Sequence, residues 1–484
     1  MTDLLIVVGI VAWFFTPEEE RKEASKDWSS MKVTELKDEL RQRGLAVGGL
    51  KAELVERLTE ASRNGSATVA RHAKLDEFHS FRRTYYLVYA IIMLADWMQG
   101  THMYTLYMSY GMNVSHLFLT GFLSGGIFAP FLGSFVDKFG RKRSCIIYCL
   151  LEITINVMEA YPNIFILMLG RIMGGVSTNL LFSAFESWMT TEHRGRGFPE
   201  EWLSTTYSTC SVINGSMAVL AGIVAQVLED FFGQIGPFHG AVGLTVTALL
   251  LVLGWEENYG EEQKGDHEKS SIMSQFKEGW RAVLSDWNIL RIGLVQALSE
   301  GAMYTFVFMW VPTLLSLDPP GGLPTGCVFS SLMIAITIGG LCSAPFHWII
   351  GRFISHDYAD EYGASIVYSL ASICMAIPVL CLSTFSGNEG CQTYVITSFM
   401  IVEFCVGMFM PSAGTLRSKY VPDNLQGAIL NIFRLPLNTT VVLGTYATDM
   451  FEASLVFKLV SATFMAASLL QATMIGAKPK EKYD

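Results

Sequence analysis

The chain is poor in charged residues for its length. Only 16% of its 484 residues are Asp, Glu, Lys or Arg, whereas soluble proteins average about 25%. Apolar residues make up 51% of the chain, and the mean hydropathy is +0.36. A soluble protein of this size needs more charge to cover its surface, so the composition excludes a water-soluble globular protein and a wholly disordered chain. Lipid must surround much of the molecule.

Sequence motifs typical of enzymes and cofactor sites are also missing. The nine cysteines include no CxxC pair and no Cys/His cluster, which excludes a zinc site and a disulfide framework. The sequence contains no Walker loop, no nucleophile elbow and no HExxH motif. It therefore predicts no enzyme, no catalytic residue and no metal or cofactor site, and it argues against direct use of ATP.

Long apolar segments occupy the chain from residue 84 onward. They approach or exceed the roughly 20 residues that a spanning helix requires, and they lack the two-residue alternation of a membrane β-strand. The predicted fold class is therefore an all-α membrane protein. Twelve spanning helices are predicted, at residues 84–110, 115–136, 143–161, 163–189, 203–228, 238–255, 288–316, 324–352, 364–384, 392–414, 426–448 and 454–476.

Basic residues are distributed unevenly among the connections between these spans. Six alternating connections carry no Lys or Arg, and the other set carries nearly all that lie after residue 84. By the positive-inside rule, the basic set faces the cytoplasm. This orientation places residues 16–83 and the C-terminus in the cytoplasm. We expect the plasma membrane to hold the protein, with an endomembrane as the alternative.

The spans also predict the domain organisation. Six spans on each side of a long cytoplasmic loop are typical of secondary transporters. A short apolar segment near the N-terminus is too short for a full span and is predicted to anchor the chain. The predicted segments are an anchor at 1–22, a helical module at 28–65, a polar linker at 66–83, the N-terminal bundle at 84–255, a cytoplasmic loop at 256–287, the C-terminal bundle at 288–476 and a tail at 477–484.

The connection between spans two and three combines small, acidic and basic residues at fixed spacing. Small glycines let two helices approach closely, while an Asp and basic side chains can pair at a helix end. This pattern resembles the signature loop of the major facilitator superfamily and occurs at the position that this fold requires. We expect it to act in conformational change through Gly133, Asp137, Gly140, Arg141 and Lys142.

Further motifs narrow the resemblance to the molybdate-anion transporter family of that superfamily. They are Ala95-Asp96-Trp97 with Gln99, the run from Gly170 to Trp188, Phe198-Pro199 with Glu201-Trp202, Glu257-Asn258-Tyr259, Gln296-Ala297-Leu298 with Glu300, and Asn431 to Pro436. The resemblance covers residues 84–476. It implies a twelve-helix facilitator, with two bundles of six, that moves molybdate by alternating access. A sugar or another small metabolite is the alternative substrate.

Polar side chains within the spans are the candidate site residues, because charge is costly in hydrocarbon. A transported oxyanion needs cationic or N–H-rich partners. We expect Arg434 to contact it, with Arg171 as the second candidate. The predicted hydrogen-bonding residues, which could instead join helices, are Gln99, Asn179, Gln296 and Asn431.

Acidic side chains at similar depth are candidates for coupling or gating. The same residues could instead form buried ion pairs that hold helices together. We further expect Asp96 to pair with Arg171 across spans one and four. The acidic candidates are Asp96, Glu186, Glu300 and Glu403.

Residues 28–65 resemble a separate module. Their run LKDELRQRGLAVGGLKAELVERL is similar to the SAP motif, a short helix–turn–helix found in many DNA-binding proteins. The segment has 7 Lys+Arg and 6 Asp+Glu, which leaves little excess charge for phosphates. Protein contact and nucleic-acid contact both remain open. So does a different function for the whole chain, a membrane tether or receptor that uses this module.

Overall fold

The computed structural model describes residues 32–42, 51–55, 58, 66–259, 272–317, 322–383, 390–422 and 426–477. Within these ranges the regular structure is helical, without strands. The predicted anchor at 1–22 and nearly all of the tail lie outside them. The helices are α1 Val33–Gln42, α2 Ser66–Ser109, α3 Val114–Phe139, α4 Arg141–Met158, α5 Ile164–Gly195, α6 Glu200–Phe232, α7 Gly236–Leu253, α8 Ile272–Ser285, α9 Trp287–Ser316, α10 Thr325–Phe353, α11 Ala359–Ser383, α12 Cys391–Tyr420, α13 Gln426–Met450 and α14 Ala453–Ala472.

The helices α2 to α7 and α9 to α14 follow the twelve predicted spans in order. Eight helices of the described chain are long and apolar enough to cross a membrane by length and composition alone. Of the other four, α3 contributes a shorter apolar stretch at Val114–Ala129. Polar residues interrupt the rest: α4, for example, begins with three basic residues and buries Glu152 in its middle.

The chain divides into two compact units, residues 1–90 with 189–216, and residues 91–188 with 217–484. In the first unit, the described part of the SAP-like module has an apolar core. The side chains of this core are Leu36, Leu40, Leu54 and Leu58, and all are fully buried.

Residues 66–83 differ from the polar linker that the sequence suggests. They are helical and continue without a break into span one as helix α2. Phe78 gives this segment an apolar face, and its ring lies 5.3 Å from that of Phe198 and 4.8 Å from that of Trp202. The helix is therefore packed against other aromatic rings at Phe78.

In the second unit, the predicted cytoplasmic loop 256–287 contains helix α8. Trp280 and Val283 on this helix pack into the apolar core of the C-terminal bundle. The same core includes Phe306, Phe399 and Phe457 from α9, α12 and α14, whose rings lie 5.0 and 5.7 Å apart in succession. The second half of the loop is therefore part of the bundle.

A serine seam joins α11 to α14. Ser372 and Ser461 each donate a hydrogen bond to the other's main-chain carbonyl, both at 2.8 Å. Ser365 and Ser468 exchange the same pair of bonds at 3.1 and 2.8 Å. Small residues let the two helices approach closely enough for these bonds, as expected inside a membrane.

The two bundles meet at the end of the second unit that the positive-inside rule assigns to the outside. Ser330 on α10 donates a 2.8 Å hydrogen bond to the carbonyl of Val219 on α6. The amide of Gly326 donates to the side chain of Gln226 at 2.9 Å. Further hydrogen bonds and ring contacts between the bundles lie in the halves of the helices nearest this end.

Candidate functional site

Three polar side chains share one face of α9. Gln296, Glu300 and Tyr304 follow one another at four-residue spacing, which places them one above another on a helix. Glu300 interacts with Gln296 and lies within electrostatic range of two guanidinium groups, those of Arg417 on α12 and Arg434 on α13. The sequence predicted three of these as site residues, Gln296, Glu300 and Arg434, and the structure brings them together.

Arg434 has an exposed side chain within a predicted span. Among the described residues, no carboxylate lies within ion-pair distance of it, although Glu300 lies within electrostatic range. It lies eight residues after the start of α13, which corresponds to about 12 Å along the axis. Arg434 is thus a positive charge that no described ion pair neutralises.

Arg417 reaches the same region from the far end of α12. Its Nη1 donates a 3.2 Å hydrogen bond to Oε1 of Gln296. The two side chains line a small cavity together with Tyr368 and Gln471. Arg417 was not predicted from the sequence, because it lies three residues from the helix end, where the positive-inside rule already accounts for an arginine.

Arg171 pairs with Glu159, which corrects the expected pair with Asp96. Its Nη2 lies 3.0 Å from Oε1 of Glu159, and both side chains are largely buried. The hydroxyl of Tyr107 donates to the same oxygen at 2.8 Å. Glu159 follows the last residue of α4 and contacts Arg171 on α5, and this contact neutralises the charge of Arg171.

Glu152 is the centre of a second buried network, on α4. It accepts hydrogen bonds from Gln99 at 2.8 Å and from Ser177 at 2.5 Å. Asp96 lies within electrostatic range of Glu152. Gln99, a candidate for substrate contact, thus joins α2 to α4. This agrees with the alternative prediction that it forms a contact between helices. The only indication in the sequence that Glu152 is buried and bonded is its position in the middle of a predicted span.

The remaining polar candidates have differing surroundings. Asn179 donates to the carbonyls of Gly125 and Gly175, both at 2.8 Å, and so ties α5 to α3. Glu403 is 4% exposed within α12 and has no hydrogen-bonding or ion-pair partner in the described chain. Glu186 is exposed. The side chain of Asn431 lies outside the described residues.

The predicted signature loop forms the junction of α3 and α4. Gly140 has a φ of 115°, which favours glycine. The carboxylate of Glu257 accepts hydrogen bonds from the main-chain N–H groups of Lys142 at 2.9 Å and Arg143 at 3.2 Å. Glu257 therefore caps the N-terminus of α4. Arg141 is buried. Gly133 lies on α3, and the side chain of Asp137 lies outside the described part of the chain.

The fold resembles that of solved transporters. A nucleoside transporter, NupG, matches with a TM-score of 0.61 and 13% identity, covering 82% of this chain and 100% of that one. An auto-inhibited peptide transporter of the POT family matches with a TM-score of 0.66 and 11% identity, covering 84% of this chain and 98% of that one. At these identities the likeness shows the fold alone.

The sequence matches known families and relatives more specifically. A major facilitator family model, described as sugar transporters with 12 transmembrane segments, matches residues 46–404, and a SAP domain model matches residues 27–63. The chain is 34% identical to a molybdate-anion transporter of Xenopus laevis, over 76% of this chain and 79% of that protein. It is 31% identical to a molybdate-anion transporter of Takifugu rubripes, over 76% and 80%. The chain therefore belongs to the molybdate-anion transporter family of the major facilitator superfamily.

Proposed function

We propose that this protein carries molybdate or a related oxyanion across a membrane by alternating access of its two bundles. The observation that carries the proposal is Arg434. It is exposed within a predicted span, and no described carboxylate pairs with it. An uncompensated guanidinium is costly at that depth unless an anion visits it. The relatives are molybdate-anion transporters, and this identifies molybdate as the anion that we propose.

The proposal assigns different roles to the other candidates. Arg171 is neutralised by Glu159, so it ranks behind Arg434 as an oxyanion contact. Glu300 shares the field of two arginines and is proposed to couple transport to a proton or to gate the path. Asp96, Glu186 and Glu403 are weaker candidates for the same roles, and the signature loop of α3 and α4 is proposed to guide the movement of the bundles.

The cellular setting is also a proposal. The plasma membrane, with residues 16–83 and the C-terminus in the cytoplasm, agrees with the distribution of basic residues. The SAP-like module would then lie in the cytoplasm. Its nearly balanced charge favours contact with a protein over contact with nucleic acid.

The test is uptake of radioactive molybdate by cells that lack their own uptake route. Arg434→Ala is compared with the unmodified protein at matched surface expression, and Arg352→Ala serves as the control. Arg352 is an exposed arginine at the last turn of α10, so its removal changes net charge equally. We expect saturable uptake that Arg434→Ala abolishes and Arg352→Ala preserves. Absence of uptake by the well-expressed unmodified protein would contradict the proposal.

A sugar is the second candidate substrate, because the matching family model is described as sugar transporters. Competition for uptake distinguishes a molybdate carrier from a sugar carrier. If molybdate is the substrate, excess tungstate or sulfate reduces uptake and neutral sugars do not. If labelled sugars are taken up and Arg434→Ala leaves their transport intact, the protein is a sugar carrier.

A further inference from the structure

We infer that Arg417, positioned by Gln296, is a second oxyanion-binding residue at the cytoplasmic mouth of the transport path. This inference rests on the proposed function. Arg417 lies near the end of α12, three residues before Tyr420. Gln296 lies nine residues after the start of α9, about 14 Å along that helix. The hydrogen bond between them therefore directs the guanidinium from the helix end back toward the interior of the bundle.

The charge of Arg417 is not neutralised where it is held. Its described hydrogen-bonding partner is a neutral amide, and the described chain offers no carboxylate within ion-pair distance. Lys419, two residues further along the same helix, differs: its Nζ lies 2.7 Å from the carboxylate of Glu361. Lys419, at the helix end, thus has a carboxylate as its counter-charge, whereas Arg417, which faces the cavity, does not.

Two guanidinium groups and one carboxylate meet in this region. Arg417 and Arg434 both lie within electrostatic range of Glu300, which leaves a surplus of one positive charge. A guanidinium presents paired N–H donors that match two oxygens of an oxyanion. Arg417 and Arg434 each offer such a pair of donors to an oxyanion, and Glu300 competes with the anion for them.

The position of Arg417 also predicts the order in which a transported ion meets the two arginines. The described contacts between the bundles lie toward the outside, and Arg417 lies at the opposite end of its helix. In this conformation Arg417 is therefore the contact nearest the cytoplasm and Arg434 lies further in. An ion would meet Arg417 last on import and first on export.

The test is molybdate binding to the purified full-length protein, measured by calorimetry. Because a hydrogen bond to a charged group contributes about 1.5–3 kcal/mol, Arg417→Ala should weaken binding about tenfold or more. Arg417→Lys keeps the positive charge but loses the paired N–H donors of the guanidinium group. Its affinity for molybdate should therefore lie between those of the unmodified protein and Arg417→Ala. Arg352→Ala, the control for net charge, should bind normally. Thermal unfolding of each variant shows that it is folded.

Gln296 is a positioning residue, and a double-mutant cycle tests that role. Gln296→Ala should weaken molybdate binding in the unmodified protein and have no further effect when combined with Arg417→Ala. A purely structural role for Gln296 would give additive losses. If Arg417→Ala fails to fold, Arg417→Lys and Gln296→Ala carry the test.

The outcomes separate this inference from the proposed function. Normal binding by folded Arg417→Ala, or by Arg417→Lys and Gln296→Ala together, overturns the role of Arg417, even if Arg434→Ala abolishes binding and the carrier function stands. If the unmodified protein binds neither molybdate, tungstate nor sulfate, the proposed function itself fails.

Discussion

At the scale of single residues, two largely buried charged groups of the described N-terminal spans, Arg171 and Glu152, are closely partnered. Arg171 has Glu159, and Glu152 has a ring of hydrogen-bond donors. Burying an ion is costly unless its partners replace the water that it loses. Arg417 and Arg434 in the C-terminal bundle lack such carboxylate partners among the described residues, and this difference separates structural charges from those available to a substrate.

The pair of Arg171 and Glu159 gives a prediction about stability. Glu159→Gln leaves the arginine buried without a counter-charge, and we expect it to destabilise the protein by about 3–5 kcal/mol. Combining it with Arg171→Gln removes both charges and should restore most of the stability, as thermal unfolding in detergent can measure. If the restored double variant also transports molybdate, Arg171 is not a substrate contact. Failure of the double variant to recover would show that the two side chains act independently.

Glu257 gives a second prediction at this scale. Its carboxylate caps α4, and a Cβ atom on Gly140 would lie 2.8 Å from its Cδ. Losing a cap of this kind costs about 1 kcal/mol, so Glu257→Ala should lower both thermal stability and the rate of transport. The matched control is Glu256→Ala, because Glu256 is exposed and its described bond uses only the main-chain carbonyl, which accepts from Trp188 at 2.8 Å. Equal effects of the two substitutions would argue against the cap.

At the scale of helices, small polar residues hold neighbouring spans together. The hydroxyl oxygens of Ser372 and Ser461 in the serine seam also lie 3.2 Å apart, which predicts a modest and coupled effect of substitution. Ser372→Ala and Ser461→Ala should each reduce stability by about 0.6 kcal/mol, and the double variant should lose less than the sum. Ser331→Ala is the control, because that hydroxyl bonds only its own helix, at the carbonyl of Cys327. Strict additivity in thermal unfolding would mean that the two serines do not share an interaction.

At the scale of the whole molecule, the tight approach of α6 and α10 predicts which residues control opening to the outside. A Cβ atom on Gly326 would lie 2.8 Å from the Cβ of Gln226. Gly326→Val should therefore push the outer contact apart and slow transport. Labelling can test this in a Cys327→Ser background that carries Tyr304→Cys. The introduced cysteine should react faster with a membrane-impermeant thiol reagent applied from outside when Gly326→Val is present than when it is absent.

The control for this experiment is Gly243→Val, since a Cβ atom at Gly243 meets nothing within 4 Å. It should leave both transport and labelling unchanged. If Gly326→Val labels no faster than the control, the contact between α6 and α10 does not close the outer side.

The sequence predicts the spans and the family well, because apolar length and motif spacing are local properties. It also singles out Arg434, Glu300 and Gln296 as candidate site residues, because polar residues within spans are conspicuous, and their roles stay predictions. It misses what depends on contacts between distant helices. The pairing of Arg171 with Glu159 joins α5 to α4, and nothing in either segment favours it over Asp96. Arg417 and helix α8 look like ordinary cytoplasmic features until the fold places them against the bundle.

The serine seam also bears on how the protein is made. Helix α11 enters the membrane before α14, because the ribosome synthesises it first, and two spans separate them in the chain. Until α14 arrives, Ser365 and Ser372 lack the carbonyls that accept their bonds in the finished bundle. They must turn to their own helix, as serines inside membranes commonly do. The C-terminal bundle can therefore complete its packing only after its last helix is inserted, and a chain interrupted before residue 453 would leave these serines of α11 without their partners on α14.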